Sequence, residues 1–164
     1  GKIPPKEVEF DLHKELHLVL LLFSTEAADK QLSLSLDLDP EVPREVRGDP
    51  GLLRQVLINL IANACEAMSE VVASSRQLIV RTALTVEREI CVSVSDMGTG
   101  ISDRNLSRLF DPFFTTKRNG LGLGLAVCRT ILDGQGGRLW AANNTTRGAT
   151  FYFTLPVAAH RNNA

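Results

Sequence analysis

Leu32, Leu34, Leu36 and Leu38 alternate strictly with polar residues, and four leucines at a period of two fit an extended chain with one buried face. The rest of the chain must therefore fold onto a sheet covered on one side. Two pairs of period-two runs follow, each reading as a hairpin: Gln77–Val86 with Ile90–Asp96, and Arg138–Asn143 with Ala149–Leu155. Asp39-Pro40 and Pro43 close the leucine strand, and a short edge strand is expected near Glu45–Arg47.

Helical spacing of Leu12, Leu16, Val19, Leu20 and Phe23 predicts a helix over about 12–29. Asp49-Pro50 is a helix start, with Asp as cap and Pro at the first helical position, and that helix is expected to reach about Ser69. Ser102 starts a short helix over 102–110, and another runs from about Leu121 to Asp133 before Gly134. The order helix-strand-strand-helix-hairpin-helix-hairpin has too few strand-helix-strand units for a doubly wound parallel sheet. It predicts an α+β sandwich, a mixed and mostly antiparallel sheet with helices packed on one face.

Composition narrows the function classes. The 164 residues suit one domain, with 44% apolar and 23% charged residues. A net charge of −1 argues against a general electrostatic binder of nucleic acid or of an anionic membrane. The longest apolar run, Leu18 to Phe23, is far short of the ~20 residues of a membrane span. Cys65, Cys91 and Cys128 are widely spaced inside apolar patterns, which reads as free thiols in a reducing, cytoplasmic compartment. No leader pattern opens the chain, and Gly1-Lys2 reads as a cut edge.

Three segments carry chemistry. On the helix Leu52–Met68, Asn59, Asn63 and Glu66 stand at i, i+4 and i+7, opposite Leu53, Val56, Leu57, Leu60 and Ala64. Amide and carboxylate oxygens are hard ligands of the kind Mg²⁺ accepts beside phosphate and water, although an ordinary solvated face has the same pattern. Next, Val92 and Val94 lead a strand into Asp96-Met97-Gly98-Thr99-Gly100. A carboxylate at a buried strand end can accept an exocyclic amine, and bare glycines let a flat ring approach; a plain turn reads equally well.

The third is Phe110-Asp111-Pro112-Phe113-Phe114-Thr115-Thr116-Lys117, then Arg118-Asn119 and Gly120-Leu121-Gly122-Leu123-Gly124-Leu125. Alternate glycines opening a helix offer backbone N–H groups and a positive dipole end to phosphate. The run lacks the GK[ST] ending of a P-loop, and no strand precedes it as a dinucleotide fingerprint requires.

In this order the segments resemble the N, G1, F and G2 boxes of the ATP-binding catalytic domain of sensor histidine kinases, within the wider ATPase family of gyrase B and MutL. The likeness spans about residues 8–157 and is strongest to the nitrogen- and oxygen-sensing subgroup. It implies the Bergerat fold with a mobile ATP lid, with ATP and Mg²⁺ as cofactors. Residues 1–7 would be the remnant of a linker and 158–164 a polar tail.

Residue by residue, the resemblance implies that Asn63 binds Mg²⁺ and that Asp96 accepts the adenine amine with help from Thr150. Gly98 and Gly100 would line the base. Gly120, Leu121, Gly122, Leu123 and Gly124 would meet the phosphates, with Lys117 and Arg118 approaching the β/γ end. Phe110, Phe113 and Phe114 are expected to pack the base of the lid. Asn59 stands where hydrolysing relatives carry a glutamate, and a carboxamide cannot take a proton from water at neutral pH. The γ-phosphoryl would then go to another nucleophile, with Asn59, Glu66 and Lys117 as candidate catalytic residues.

Partners implied are a histidine-bearing dimerisation domain of the same parent protein and the receiver domain of a response regulator. Neither nucleic acid nor direct membrane contact is expected, the parent would be a homodimer that a membrane can anchor, and this stretch alone a monomer. His13-Lys14-Glu15-Leu16 resembles an acceptor signature but lacks its proline and sits on the domain's own first helix, while His13 and His17 read as a solvated face and His160 lies in the tail. Two other readings stay open: a nucleotide-binding module without transfer, and a related kinase acting on serine.

Overall fold

A computed structural model of the chain describes residues 7–116 and 122–156. In chain order it holds β1 (Val8–Asp11), α1 (Leu12–Leu22), α2 (Ser24–Asp29), β2 (Ser33–Leu38), β3 (Glu45–Gly48), α3 (Pro50–Ala67), β4 (Gln77–Leu84) and β5 (Ile90–Ser95). Then come α4 (Asp103–Leu106), α5 (Gly124–Gly134), β6 (Leu139–Asn143) and β7 (Ala149–Leu155). Five strands form one sheet in the order β2-β4-β5-β7-β6, with only β2 and β4 parallel, while β1 and β3 make a separate antiparallel ribbon.

Period-two alternation sets the two faces of the sheet. Val80, Val94 and Phe151 form one cross-strand row and Thr82, Val92 and Phe153 the next, all buried under the helices. The opposite face carries Arg81, Ser93, Tyr152 and Trp140 in one row, with the Trp140 and Tyr152 rings stacked at 5.3 Å and Arg138 above the indole. Phe153 is fully buried at the centre, so Phe153→Ala is expected to cost ~3–5 kcal/mol, read as a lower urea midpoint at unchanged slope.

The helix starts expected at Leu12, Asp49-Pro50 and Ser102 are in place, whereas α5 begins at Gly124 instead of about Leu121. Asp49 Oδ1 accepts from the Gly51 and Leu52 N–H groups at 3.0 and 3.2 Å, and Pro50 opens α3. Its stripe of Leu53, Val56, Leu57, Leu60, Ile61, Ala64 and Cys65 is buried against the sheet and α5. The single helix expected over 12–29 is divided at Phe23. Ser24 Oγ donates to the Leu21 carbonyl at 2.7 Å, and the Phe23 N–H closes a three-residue turn onto Leu20. Both bonds compete with continuous helix. The ribbon strand β1, only four residues long, is too short to show a period and was not anticipated.

Cys65, Cys91 and Cys128 are free, and burial pushes the Cys65 thiol up to about 11, so it stays protonated at neutral pH. Among the described residues no helix is long and apolar enough to cross a membrane.

Candidate functional site

A cavity of about 580 Å³ opens between the second half of α3, the loop after β5, the start of α5 and the first residues of β7. That volume falls in the usual range for a small-molecule site. At one end β5 delivers Asp96, which is 3% exposed. Its main chain still belongs to the ladder, donating to the Ala149 carbonyl at 2.9 Å. Its Oδ1 accepts from the Gly98 N–H at 2.8 Å and the Ala149 N–H at 3.2 Å. Burial raises the Asp96 pKa, and those two backbone donors oppose the rise. The result is a dry carboxyl with its plane fixed by main chain.

At the other end Asn63 and Glu66 line the wall from α3, one turn apart. Facing them is the N-terminus of α5, which has no side-chain cap, with Gly122, Leu123 and Gly124 on the cavity surface. Uncapped N–H groups and the helix dipole suit an anion here. A hard-oxygen pair, a positive helix end and a buried carboxyl thus share one cavity.

The expected site residues divide. Asn63, Glu66, Asp96, Gly100, Gly122, Leu123 and Gly124 all reach the cavity. Asn59 does not: its amide donates to the Gly124 carbonyl at 3.4 Å and lies 3.6 Å from Cys128 Sγ, so it fastens α3 to α5. One helical turn is about 5.4 Å, enough to set Asn59 beneath α5 while Asn63 faces the opening. Gly98 is also displaced from the wall. A Cβ there would meet the Ala67 carbonyl oxygen at 2.6 Å, so this glycine lets the loop lie on the end of α3.

Thr150 was expected beside the ligand, and strand alternation puts it on the other face. Ala149 and Phe151 line the cavity, whereas the Thr150 hydroxyl hydrogen-bonds Ser95 Oγ and Asn144 Oδ1 behind the sheet. The missed residue is Ala149, whose N–H meets Asp96; counting back two from Phe151 would have found it. Of the phenylalanines, Phe110 packs edge-on to Phe151 at 6.4 Å, and Phe114 lines the cavity beneath the Arg108 guanidinium. Phe113 is 75% exposed rather than packed, held at φ +67° by its N–H bond to the Gly122 carbonyl. Lys117, Arg118, Gly120, Leu121 and His160 lie outside the described residues.

The profile of the histidine kinase-, DNA gyrase B- and HSP90-like ATPase family matches residues 48–159. The sensor protein FixL of Bradyrhizobium diazoefficiens is 42% identical over 132 residues, 80% of this chain but 26% of its own length. This chain thus spans about a quarter of that relative. The catalytic domain of histidine kinase ThkA superposes with a TM-score of 0.81 at 32% identity, covering 93% of this chain and 96% of that one. Full-length ShkA in complex with AMPPNP superposes at 0.83 with 25% identity, over 96% of this chain and 32% of ShkA. Fold and sequence agree, and the chain belongs to the histidine kinase-, DNA gyrase B- and HSP90-like ATPase family, as an ATP-binding catalytic domain of the sensor histidine kinase kind.

Proposed function

We propose that residues 8–157 bind Mg²⁺-ATP in this cavity and pass the γ-phosphoryl group to a histidine on a separate dimerisation domain, for relay to a response-regulator aspartate. The observation that carries this reading is the cavity's polarity: a buried Asp96 carboxyl at one end, Asn63, Glu66 and the α5 N-terminus at the other. The adenine amine donates to Asp96 Oδ2, since the two backbone donors occupy Oδ1. Gly100 and Ala149 flank the base, and the triphosphate runs toward Gly122 and Gly124.

The residues fit the implied metal. Asn63 offers one carboxamide oxygen, with Glu66 in reach of the ion's water shell, and Mg²⁺ takes few protein oxygens when phosphate supplies others. Bound there, the ion would neutralise charge that develops on the phosphoryl oxygens. Lys117 and Arg118 would add positive charge at the β/γ end, and Gly120 and Leu121 further backbone donors. Asn59 is a carboxamide that cannot take a proton from water and is tied to α5, so ATP hydrolysis has no base at this position. The phosphoryl group is left for an outside nucleophile.

The relatives support the partners: ShkA is solved with AMPPNP, and ThkA in complex with the response regulator protein TrrA. The test supplies γ-labelled ATP, Mg²⁺ and a histidine-bearing helical hairpin from a sensor kinase. Label is expected on the histidine, and Asn63→Ala should lower both its yield and Mg²⁺-dependent ATP affinity about 10–100-fold without loss of fold. Calorimetric ATP binding with no transfer to any hairpin would instead favour a nucleotide-binding module, and absence of binding would remove the site assignment.

A further inference from the structure

We propose that the consecutive Asn143 and Asn144 are positioning residues for adenine, holding the loop from Asp96 to Ile101 from its two ends; this rests on the nucleotide reading of the cavity. That loop contains Gly98 and Gly100, so its backbone has unusual freedom and needs outside anchors to present one conformation. Asn143, the last residue of β6, provides one. Its Oδ1 accepts from the Ile101 N–H at 2.8 Å while its Nδ2 donates to the Ile101 carbonyl at 2.6 Å. A carboxamide accepts from and donates to a single residue's main chain through two separate atoms; a serine hydroxyl has one oxygen, too short to span both groups, and an ionised aspartate cannot donate.

Asn144 provides the other anchor. Its Nδ2 lies 2.9 Å from the carbonyl oxygens of both Asp96 and Arg147 and 3.3 Å from Ser95 Oγ. Its Oδ1 accepts from the Thr150 hydroxyl, and its own N–H closes the turn onto the Gly148 carbonyl at 2.9 Å. Arg147 Nε adds a bond to the Gly98 carbonyl at 3.3 Å. Neighbouring residues at a strand end point to opposite sides, which is how two adjacent asparagines reach opposite ends of one loop. Neither side chain lines the cavity. They act through Asp96 and Ile101, which do.

The test titrates the 164-residue chain, with Mg²⁺, against ATP, ADP and inosine triphosphate, which carries an oxo group where adenine has its amine. Asn144→Ala is expected to weaken ATP and ADP by the same factor, about tenfold or 1.4 kcal/mol, and Asn143→Ala by a smaller common factor. Inosine triphosphate should stay within about twofold of wild type, because its binding draws on the phosphate end. Equal losses for ATP and inosine triphosphate would overturn the positioning role, as would a folded variant with wild-type ATP affinity. If the alanine variants lose their folded circular dichroism, Asn144→Asp and Asn143→Ser carry the test. The first keeps the Thr150 acceptor without the Asp96 donor, and the second keeps one of two bonds. Should these unfold as well, the pair is structural and the proposal falls. A wild-type chain that binds no nucleotide removes the cavity reading itself, whereas wild-type binding with unaffected variants removes only the positioning role.

Discussion

Asp96→Asn is expected to weaken ATP binding about 100-fold while making the fold more stable at neutral pH. The carboxamide can keep Oδ1 as acceptor for the Gly98 and Ala149 N–H groups. Its NH₂ then stands where Oδ2 stood and meets the adenine amine as donor against donor. A hydrogen bond to a charged group contributes ~1.5–3 kcal/mol, and its loss leaves the amine unpaired in a dry site. The stability change has the opposite sign. Burial raises the Asp96 pKa, so the folded state holds its proton more tightly than the unfolded state does. The favourable contribution of the neutral carboxyl is complete below the unfolded value near 3.8 and is lost as pH rises through the higher folded value. Above that folded value the wild type carries a buried charge that asparagine lacks. Melting at pH 4 and pH 7, beside calorimetry with ATP, checks both halves: the variant's advantage in melting temperature should widen as pH rises. A variant less stable than wild type at pH 7, or one with ATP affinity intact, would contradict this account of Asp96.

Gly148→Ala should be the most damaging single-methyl change near the site. Gly148 has φ +81°, and a Cβ would lie 2.1 Å from the Asp96 carbonyl oxygen and 2.8 Å from its Oδ1. Both the left-handed backbone and the contact oppose alanine. The contact is with main chain of the central ladder, which cannot move aside without dragging the carboxyl with it. Gly136 provides the control, because its φ is +77° and nothing lies within 4 Å of a Cβ there. Gly136→Ala is expected to cost about 1–2 kcal/mol, the conformational penalty alone. Gly148→Ala should cost ~3 kcal/mol or more, a drop of several degrees in melting temperature, and should lose measurable ATP binding. Equal melting temperatures for the two variants would mean that the strand end yields to the methyl group, contrary to the tight packing described.

Local patterns made much of the molecule legible. The alternation at Leu34, Leu36 and Leu38 and along both hairpins marked all five strands of the main sheet, because side-chain direction in a strand depends only on parity. Asp49, Pro50 and Gly134 marked helix ends through capping chemistry confined to a few neighbouring residues. The spacing of Asn63 and Glu66 put both on one helical stripe, and the resemblance to kinase boxes tied that stripe to Asp96 and the glycines. Where local bonds compete, as at Phe23 and Ser24, or an element has only four residues, as in β1, the same patterns were silent.

Sequence alone thus determined most of the elements, the covered sheet face and the family, since each is written in short-range periodicity or in residues quoted in order. Tertiary structure decided which polar residues meet. A stripe is symmetrical until something packs against it: α5 covers Asn59 and leaves Asn63 on the cavity. Parity could have excluded Thr150, but that Ala149 meets Asp96 follows from the β5–β7 register, a pairing between residues 53 positions apart. Gly98 lies on α3 and Gly148 against Asp96 for the same reason, and the two asparagines reach the loop from Asp96 to Ile101 only because β6 ends beside it. These are contacts between chain segments remote in sequence, and packing in three dimensions is what brings them within hydrogen-bonding distance.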